Sequence, residues 1–369
     1  MKVLIFSTAY LPFVGGAEVA VKELTDRLGR EIQFDLITAR LKHGLPSVER
    51  VGEVEVYRIG FGVPIIDKLL LPFLGAIKTL QLNRERKYDY FWCIMATFAS
   101  GSAYIANWFQ KKVPIILTLQ EGDSEEYLKF KWFGLIDLSW RLALARTDCL
   151  TAISNYLLER AQRLGYKGQS FLVPNGVDVK RFGNTLPKSH GETVTLITTS
   201  RLVEKNAVGD VIEAMKFLPE NVKFRILGVG PLEKELKSQT KKLGLETRVQ
   251  FLGFISQEDL PRHLNEADIF IRPSLSEGQG ISFIEAMAAG LPVIATPVGG
   301  IPDFLKEGET GLFVEPKSPR LIAFQVNKLI SDRVLRDKIV INARRMVLEK
   351  YDWDLIVEDM KNRVLKLFS

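Results

Sequence analysis

Cysteine is almost absent from this chain: Cys93 and Cys149 are the only two in 369 residues. Each has apolar neighbours, so they read as buried thiols and exclude a disulfide framework or a cysteine-based zinc site. Histidine is nearly as scarce. His43, His190 and His263 fall in polar or helical surface contexts and make poor acid–base groups at neutral pH. No apolar run approaches the roughly 18 residues of a transmembrane helix. The best candidate, around Leu69–Ile77, is interrupted by Asp67, Lys68 and Lys78. The dinucleotide fingerprint G-x-G-x-x-G is missing after the first strand, and Gly228-Val229-Gly230 lacks its third glycine, which counts against a nicotinamide dehydrogenase. No D-x-D pair follows a mid-chain apolar strand. Asp352-Trp353-Asp354 has the spacing but immediately precedes the terminal helix, where an N-cap role fits better, so no metal site is expected.

What is present suits a protein of two α/β domains, since 46% hydrophobic content over 369 residues can fill two cores. The opening Met1–Ser7 is too short an apolar run for a signal peptide and reads as a buried strand, so the expected location is cytoplasmic. A net charge of +6 favours anionic partners. Arg84, Arg86 and Lys87 lie beside the apolar Leu69–Ile77, and Lys129, Lys131, Arg141 and Arg146 surround Phe130, Trp132, Phe133 and Trp140. Such mixtures fit a peripheral contact on the cytosolic face of a membrane, or a helix packed at a domain edge; both readings stay open. Charge alone gives no motif for nucleic acid, and none is expected as a partner.

Short β-rich runs alternate with amphipathic helical segments in two series, the pattern of parallel sheets covered by helices. The first series holds strands at Lys2–Ser7, Phe34–Thr38, Val54–Ile59, Phe91–Met95, Pro114–Thr118 and Cys149–Ile153. The second holds Val194–Thr199, Val222–Leu227, Val249–Phe251, Ile269–Arg272 and Pro292–Ala295. The expected domains are 1–181 and 194–351, with a polar, turn-rich linker at 182–193 and a terminal helix within 352–369.

Ligands of such folds lie beyond the carboxyl ends of the strands, and the glycine-rich motifs fall there. Gly15 and Gly16 follow the first strand and precede a helix, so backbone there can pass close to a phosphate or sugar. In Ser274–Gly290, Glu277 and Glu285 flank a turn, Gly278-Gln279-Gly280-Ile281, that opens a helix. Glycines let backbone N–H groups approach a ligand where a helix N-terminus concentrates unpaired donors, an arrangement suited to a diphosphate. Glu277 lies in the loop and Glu285 more than a turn inside the helix, so two acceptor-only groups can read two sets of hydroxyls. Arg201 and Lys205 follow the first strand of the second series, where cations can stabilise charge on a departing phosphate. Gly228 lies in a loop that can face a nucleotide base.

The E-x7-E pattern resembles the signature of retaining glycosyltransferases of the GT-B type, in particular family 4, also called group 1. The resemblance extends through Gly15-Gly16-Ala17-Glu18, Pro174-Asn175-Gly176-Val177-Asp178, Ser200–Lys205, Gly228-Val229-Gly230 and Pro297–Pro302. It implies two Rossmann-like domains facing across a cleft, with the terminal helix crossing back onto the first domain. It further implies hexosyl transfer from a UDP- or GDP-linked sugar to a glycan, lipid-linked or small-molecule acceptor, with retention and without a cofactor. Glu277 would hold the donor sugar, Glu285 the ribose, Arg201 and Lys205 the diphosphate, and the amides of Gly278, Gln279, Gly280 and Ile281 would orient the donor. Gly16 would contact it from the other domain. Gln120 stands where members often have a histidine near the reacting sugar, and an amide does not relay a proton. Glu121 or Asp123 would then help to bind the acceptor. A nucleotide-sugar epimerase and a non-catalytic nucleotide-sugar-binding protein are the alternatives on the same scaffold.

Overall fold

The computed structural model describes residues 1–123, 135–183 and 193–368. The chain forms two α/β units, Met1–Asn175 with Trp353–Ser369, and Gly176–Asp352. The division falls ahead of the expected 181. Val177 N–H donates to the Tyr351 carbonyl at 2.7 Å, and Val177 and Phe182 are buried in a core of the second unit. Phe182 is therefore a core residue rather than the start of a linker, and 184–192 lie outside the described residues. The same holds for 124–134, which carry most of the second basic and apolar segment, and for His190.

The first unit is built on eight strands: β1 (Lys2–Phe6), β2 (Gln33–Ala39), β3 (Val48–Val51), β4 (Val54–Ile59), β5 (Tyr90–Ile94), β6 (Ile115–Leu119), β7 (Cys149–Ala152) and β8 (Gln169–Leu172). Their order is β3-β4-β2-β1-β5-β6-β7-β8. All pairs are parallel except β3–β4, an antiparallel edge that the alternating pattern did not lead one to expect. Side chains alternate across the sheet as the strand period requires. Leu4 and Phe6 enter the core on one face, Val3 and Ile5 that on the other. The second face is completed by the chain terminus, through Trp353, Ile356, Met360, Val364 and Leu365. The terminal segment is α-helical over Trp353–Asp359, then widens to a π turn and tightens to a 3₁₀ turn; Leu355 is exposed. Cys93 and Cys149 are buried and unpaired, and burial raises the pKa of both thiols.

The second unit holds β9 (Val194–Thr199), β10 (Val222–Leu227), β11 (Val249–Gly253), β12 (Ile269–Arg272), β13 (Val293–Ala295) and β14 (Leu312–Phe313). Their order is β11-β10-β9-β12-β13-β14, all parallel. In each unit the strand order reverses once, between β1 and β5 and between β9 and β12. The carboxyl end of such a reversal leaves a crevice, because the connections on its two sides diverge to opposite faces.

No described helix is long and apolar enough to cross a membrane. The helix Pro64–Arg86 nevertheless turns Ile65, Ile66, Leu69, Phe73 and Ile77 to solvent while Leu71, Gly75, Ala76, Thr79 and Leu82 face the core. Its first turn is braced. The buried Asp67 carboxylate accepts the N–H groups of Phe61 and Gly62 at 2.8 Å each, and Phe61 and Val63 in this turn are exposed.

Candidate active site

In the second unit the loops beyond β9, β10 and β12 are joined by backbone. Leu275 N–H donates to the Lys205 carbonyl at 2.7 Å, Ser200 N–H to Leu227 at 2.9 Å and Leu202 N–H to Val229 at 3.1 Å. Arg201, Lys205, Gly228 and the Glu277 loop thus share the carboxyl end of one sheet. Arg201 is exposed, and Lys205 is half-buried in the turn Glu204–Asn206. Asn206 is buried and donates from Nδ2 to the Arg201 carbonyl at 2.7 Å, closing that turn. Gly228 has φ +137°, and a Cβ there would lie 1.8 Å from the Ser200 carbonyl oxygen. Its lack of a side chain is therefore demanded by the β9–β10 contact itself, independently of any ligand.

The Ser274–Ile281 segment is held from below. Thr296 Oγ1 donates to the Ser274 carbonyl, and Gly300 N–H donates to the Glu277 carbonyl at 3.3 Å. Gly299 lies so close that a Cβ would stand 1.8 Å from that same oxygen. Gly278, Gln279 and Gly280 are buried, and Gly280 adopts φ +87° as it leads into the helix Ile281–Ala288. That helix has no side-chain cap and no acidic residue in its first turn.

Glu285 is 7% exposed, and its carboxylate makes no hydrogen bond with a described residue. Burial pushes its pKa up from 4.5 to about 7, against the charges of Arg181 and Arg272. Arg181 comes from the short helix Val179–Phe182. Glu277 is held differently: its Oε2 accepts from Arg272 Nη2 at 2.8 Å, whereas Oε1 makes no hydrogen bond with a described residue. Sequence reasoning passed over Arg272 altogether. Its one signal was a cation ending the otherwise apolar Ile269-Phe270-Ile271. Also buried at the end of β9 are Thr199 Oγ1 and Ser200 Oγ, neither with a hydrogen-bond partner among the described residues.

In the first unit Gly15 caps the helix Gly16–Leu28, and a Cβ on Gly15 would meet Glu18 Oε2 at 2.5 Å. Gly16 is exposed, with open space where a Cβ would project. Thr8 Oγ1 donates to Thr97 Oγ1 at 2.8 Å across the β1–β5 crevice. Gln120, Glu121 and Asp123 follow β6. Gln120 Oε1 accepts from Asn175 Nδ2 at 3.2 Å, and the Asp123 carbonyl accepts from Arg160 Nη1 at 3.1 Å. Glu121 is occupied by its own chain. Oε1 accepts the Ala96 N–H at 2.7 Å and Oε2 the Gln120 N–H at 2.9 Å, so the carboxylate ties β6 to the loop beyond β5. Burial raises its pKa to about 7 even so. The residues expected at the site thus form two groups, one in each unit. Among the described residues, no three His, Cys, Asp or Glu side chains are grouped to hold a metal ion.

Residues 14–181 match the model of Glycosyltransferase Family 4 and residues 186–346 that of Glycosyl transferases group 1. N-acetyl-alpha-D-glucosaminyl L-malate synthase of Bacillus anthracis is 30% identical over 97% of this chain and 95% of its own. Among solved structures, sucrose-phosphate synthase of Thermosynechococcus elongatus superposes with a TM-score of 0.88 at 19% identity, over 100% of this chain and 99% of that one. Anabaena HepE in complex with UDP and glucose superposes with a TM-score of 0.81 at 22% identity, over 99% and 100%. Both families' models, the full-length relative and the two Rossmann-like units agree: the chain belongs to the group 1 glycosyltransferases and has the GT-B fold.

Proposed function

We propose that the chain moves a hexosyl group from a nucleoside diphosphate sugar to an acceptor hydroxyl, with retention of anomeric configuration and without a metal ion. The observation that carries this reading is Glu285, a buried carboxylate that makes no hydrogen bond with a described residue, one turn into an uncapped helix. A buried acceptor left unmet is costly, and a pair of vicinal hydroxyls such as those of ribose would meet it. The leading N–H groups of Ile281–Ala288, with Arg201 and Lys205 beyond β9, suit the diphosphate. Glu277 Oε1 suits a hydroxyl of the transferred sugar. As the bond from the anomeric carbon to the phosphate oxygen breaks, the leaving oxygen takes the acceptor proton while the new bond forms on the same face. No enzymic base is then required, which agrees with an amide at Gln120 and a fully engaged Glu121.

UDP sugars come first in the test because HepE, of the same fold, holds UDP and glucose; GDP and ADP sugars complete the panel. Purified protein should be stabilised thermally by one donor and release its diphosphate slowly, with no change on adding chelator. Product anomers read by NMR should keep the donor's configuration. Inversion, or dependence on a divalent ion, would overturn the corresponding part of the reading.

The stripe Phe61, Val63, Ile65, Ile66, Leu69, Phe73 and Ile77 also favours a lipid-linked acceptor met at a membrane surface. It is rigidly braced, wholly apolar and flanked by the exposed cations Lys42, Arg84 and Lys87. Sedimentation with phosphatidylglycerol vesicles should retain the protein, and Leu69→Glu should release it with donor binding intact. Equal recovery of both proteins in the supernatant would remove the membrane contact.

A further inference from the structure

Arg272 ends β12 at the point where the strand order reverses, and it is 6% exposed. A buried guanidinium persists only where its donors are met. Nε donates to Ser274 Oγ at 3.1 Å, Nη1 to Ser282 Oγ at 2.7 Å and to the Thr199 carbonyl at 3.1 Å, and Nη2 to Glu277 Oε2 at 2.8 Å. Its plane also lies over the Phe283 ring, Cζ standing 4.3 Å from the centroid. The partners come from the end of β9, the glycine-rich loop and the first turn of the helix Ile281–Ala288.

That placement is electrostatically unfavourable in itself. The helix N-terminus carries partial positive charge, burial lowers the pKa of Arg272, and an apolar side chain of similar volume would fill the space without a charge to desolvate. The gain is geometric. Glu277 sits on a loop next to a glycine and would otherwise sample several rotamers, whereas Nη2 of a guanidinium anchored on its other donors fixes one oxygen and leaves Oε1 without a hydrogen bond to a described residue. We infer that Arg272 is the positioning residue for Glu277: it locks that carboxylate in the single orientation that presents Oε1 to the donor sugar, using β9 and the helix as its own anchors. The inference rests on the reading of Glu277 as a donor-sugar contact.

The experiment compares wild type, Arg272→Lys, Glu277→Gln and the double variant, each checked for folding by thermal unfolding. Binding is measured with UDP and GDP, and turnover with UDP-glucose and GDP-mannose. Lysine keeps the charge and loses the fork. Arg272→Lys should bind the nucleoside diphosphate within threefold of wild type while kcat falls 30-fold or more. The double variant should be no slower than Glu277→Gln, since both act through one carboxylate. Losses that multiply in the double variant, or an unchanged kcat in folded Arg272→Lys, would overturn the assignment alone. If Arg272→Lys does not fold, Ser274→Ala combined with Ser282→Ala loosens the same guanidinium and should show the same non-additivity with Glu277→Gln; additive losses there count equally against it. A wild type that binds neither nucleotide and turns over neither sugar would bring down the donor reading, and this one with it.

Discussion

Glu121 in the first unit and Glu285 in the second are both carboxylates raised to about 7 by burial, yet they are opposites in what they touch. Glu121 spends both oxygens on backbone N–H groups of its own unit, whereas Glu285 makes no hydrogen bond with a described residue. A shifted pKa therefore marks burial in both cases and distinguishes neither. Unspent hydrogen-bonding capacity distinguishes them: Glu121 holds a loop, and Glu285, with its oxygens unspent, is the one we propose for the ligand.

The contrast breaks most readily on substitution by alanine. Glu285→Ala should cost about 2–4 kcal/mol of nucleotide binding, from the loss of two charge-assisted hydrogen bonds, with no loss of thermal stability. Isothermal titration against the donor found in the panel reads the first, and a melting curve the second; unchanged affinity would remove the ribose assignment. Glu121→Ala should do the reverse, lowering unfolding free energy by about 1–3 kcal/mol as two backbone donors lose their acceptor, with nucleotide affinity preserved. Denaturant titration tests it.

The pH dependence sharpens the pair. A carboxyl whose folded pKa lies above its unfolded value holds its proton more tightly when folded, so its contribution is complete below about 4.5 and is lost as pH rises through about 7. The ligand-free protein should lose stability over that window. Glu285→Gln should recover about 1–3 kcal/mol of the loss at neutral pH. On the proposal that the ionised form accepts ribose hydroxyls, wild-type nucleotide affinity should strengthen between pH 6 and 8 and become flat in the same variant. The smallest effect is expected at Gly16, where a Cβ meets open space: Gly16→Ala should change stability by no more than about 0.5 kcal/mol. A fall in turnover without a fall in melting temperature would then report a ligand passing over that backbone.

Much of the scaffold was legible because its central strands are fully buried. Runs such as Val194–Thr199 and Ile269–Arg272 stand out by composition alone, and their observed bounds match. The edges were not legible. β3, Val-Glu-Arg-Val, and β8, Gln-Ser-Phe-Leu, are half-polar and owe their conformation to a neighbouring strand, and β14 has only two residues. At the site, the spacing of Glu277, Gly280 and Glu285 was visible because helix geometry is local. Arg272 was not, since its anchor at Thr199 lies 73 residues away. Glu121 looked available for an acceptor because its partner, the Ala96 N–H, is 25 residues upstream. Local periodicity reveals elements, whereas the hydrogen-bond partners that decide a side chain's role are set by the sheet order.

The return of Trp353–Leu365 to the first unit makes that unit discontinuous in sequence. Trp353, Ile356, Met360, Val364 and Leu365 complete a core that begins with Val3 and Ile5, whereas Gly176–Asp352 is contiguous. The helix Gly16–Leu28 covers the same face through Ala20, Val21, Leu24 and Leu28, so a chain cut after the second unit would keep that helix and lose the five later side chains. The first unit is thus finished only by a chain that has already passed through the second.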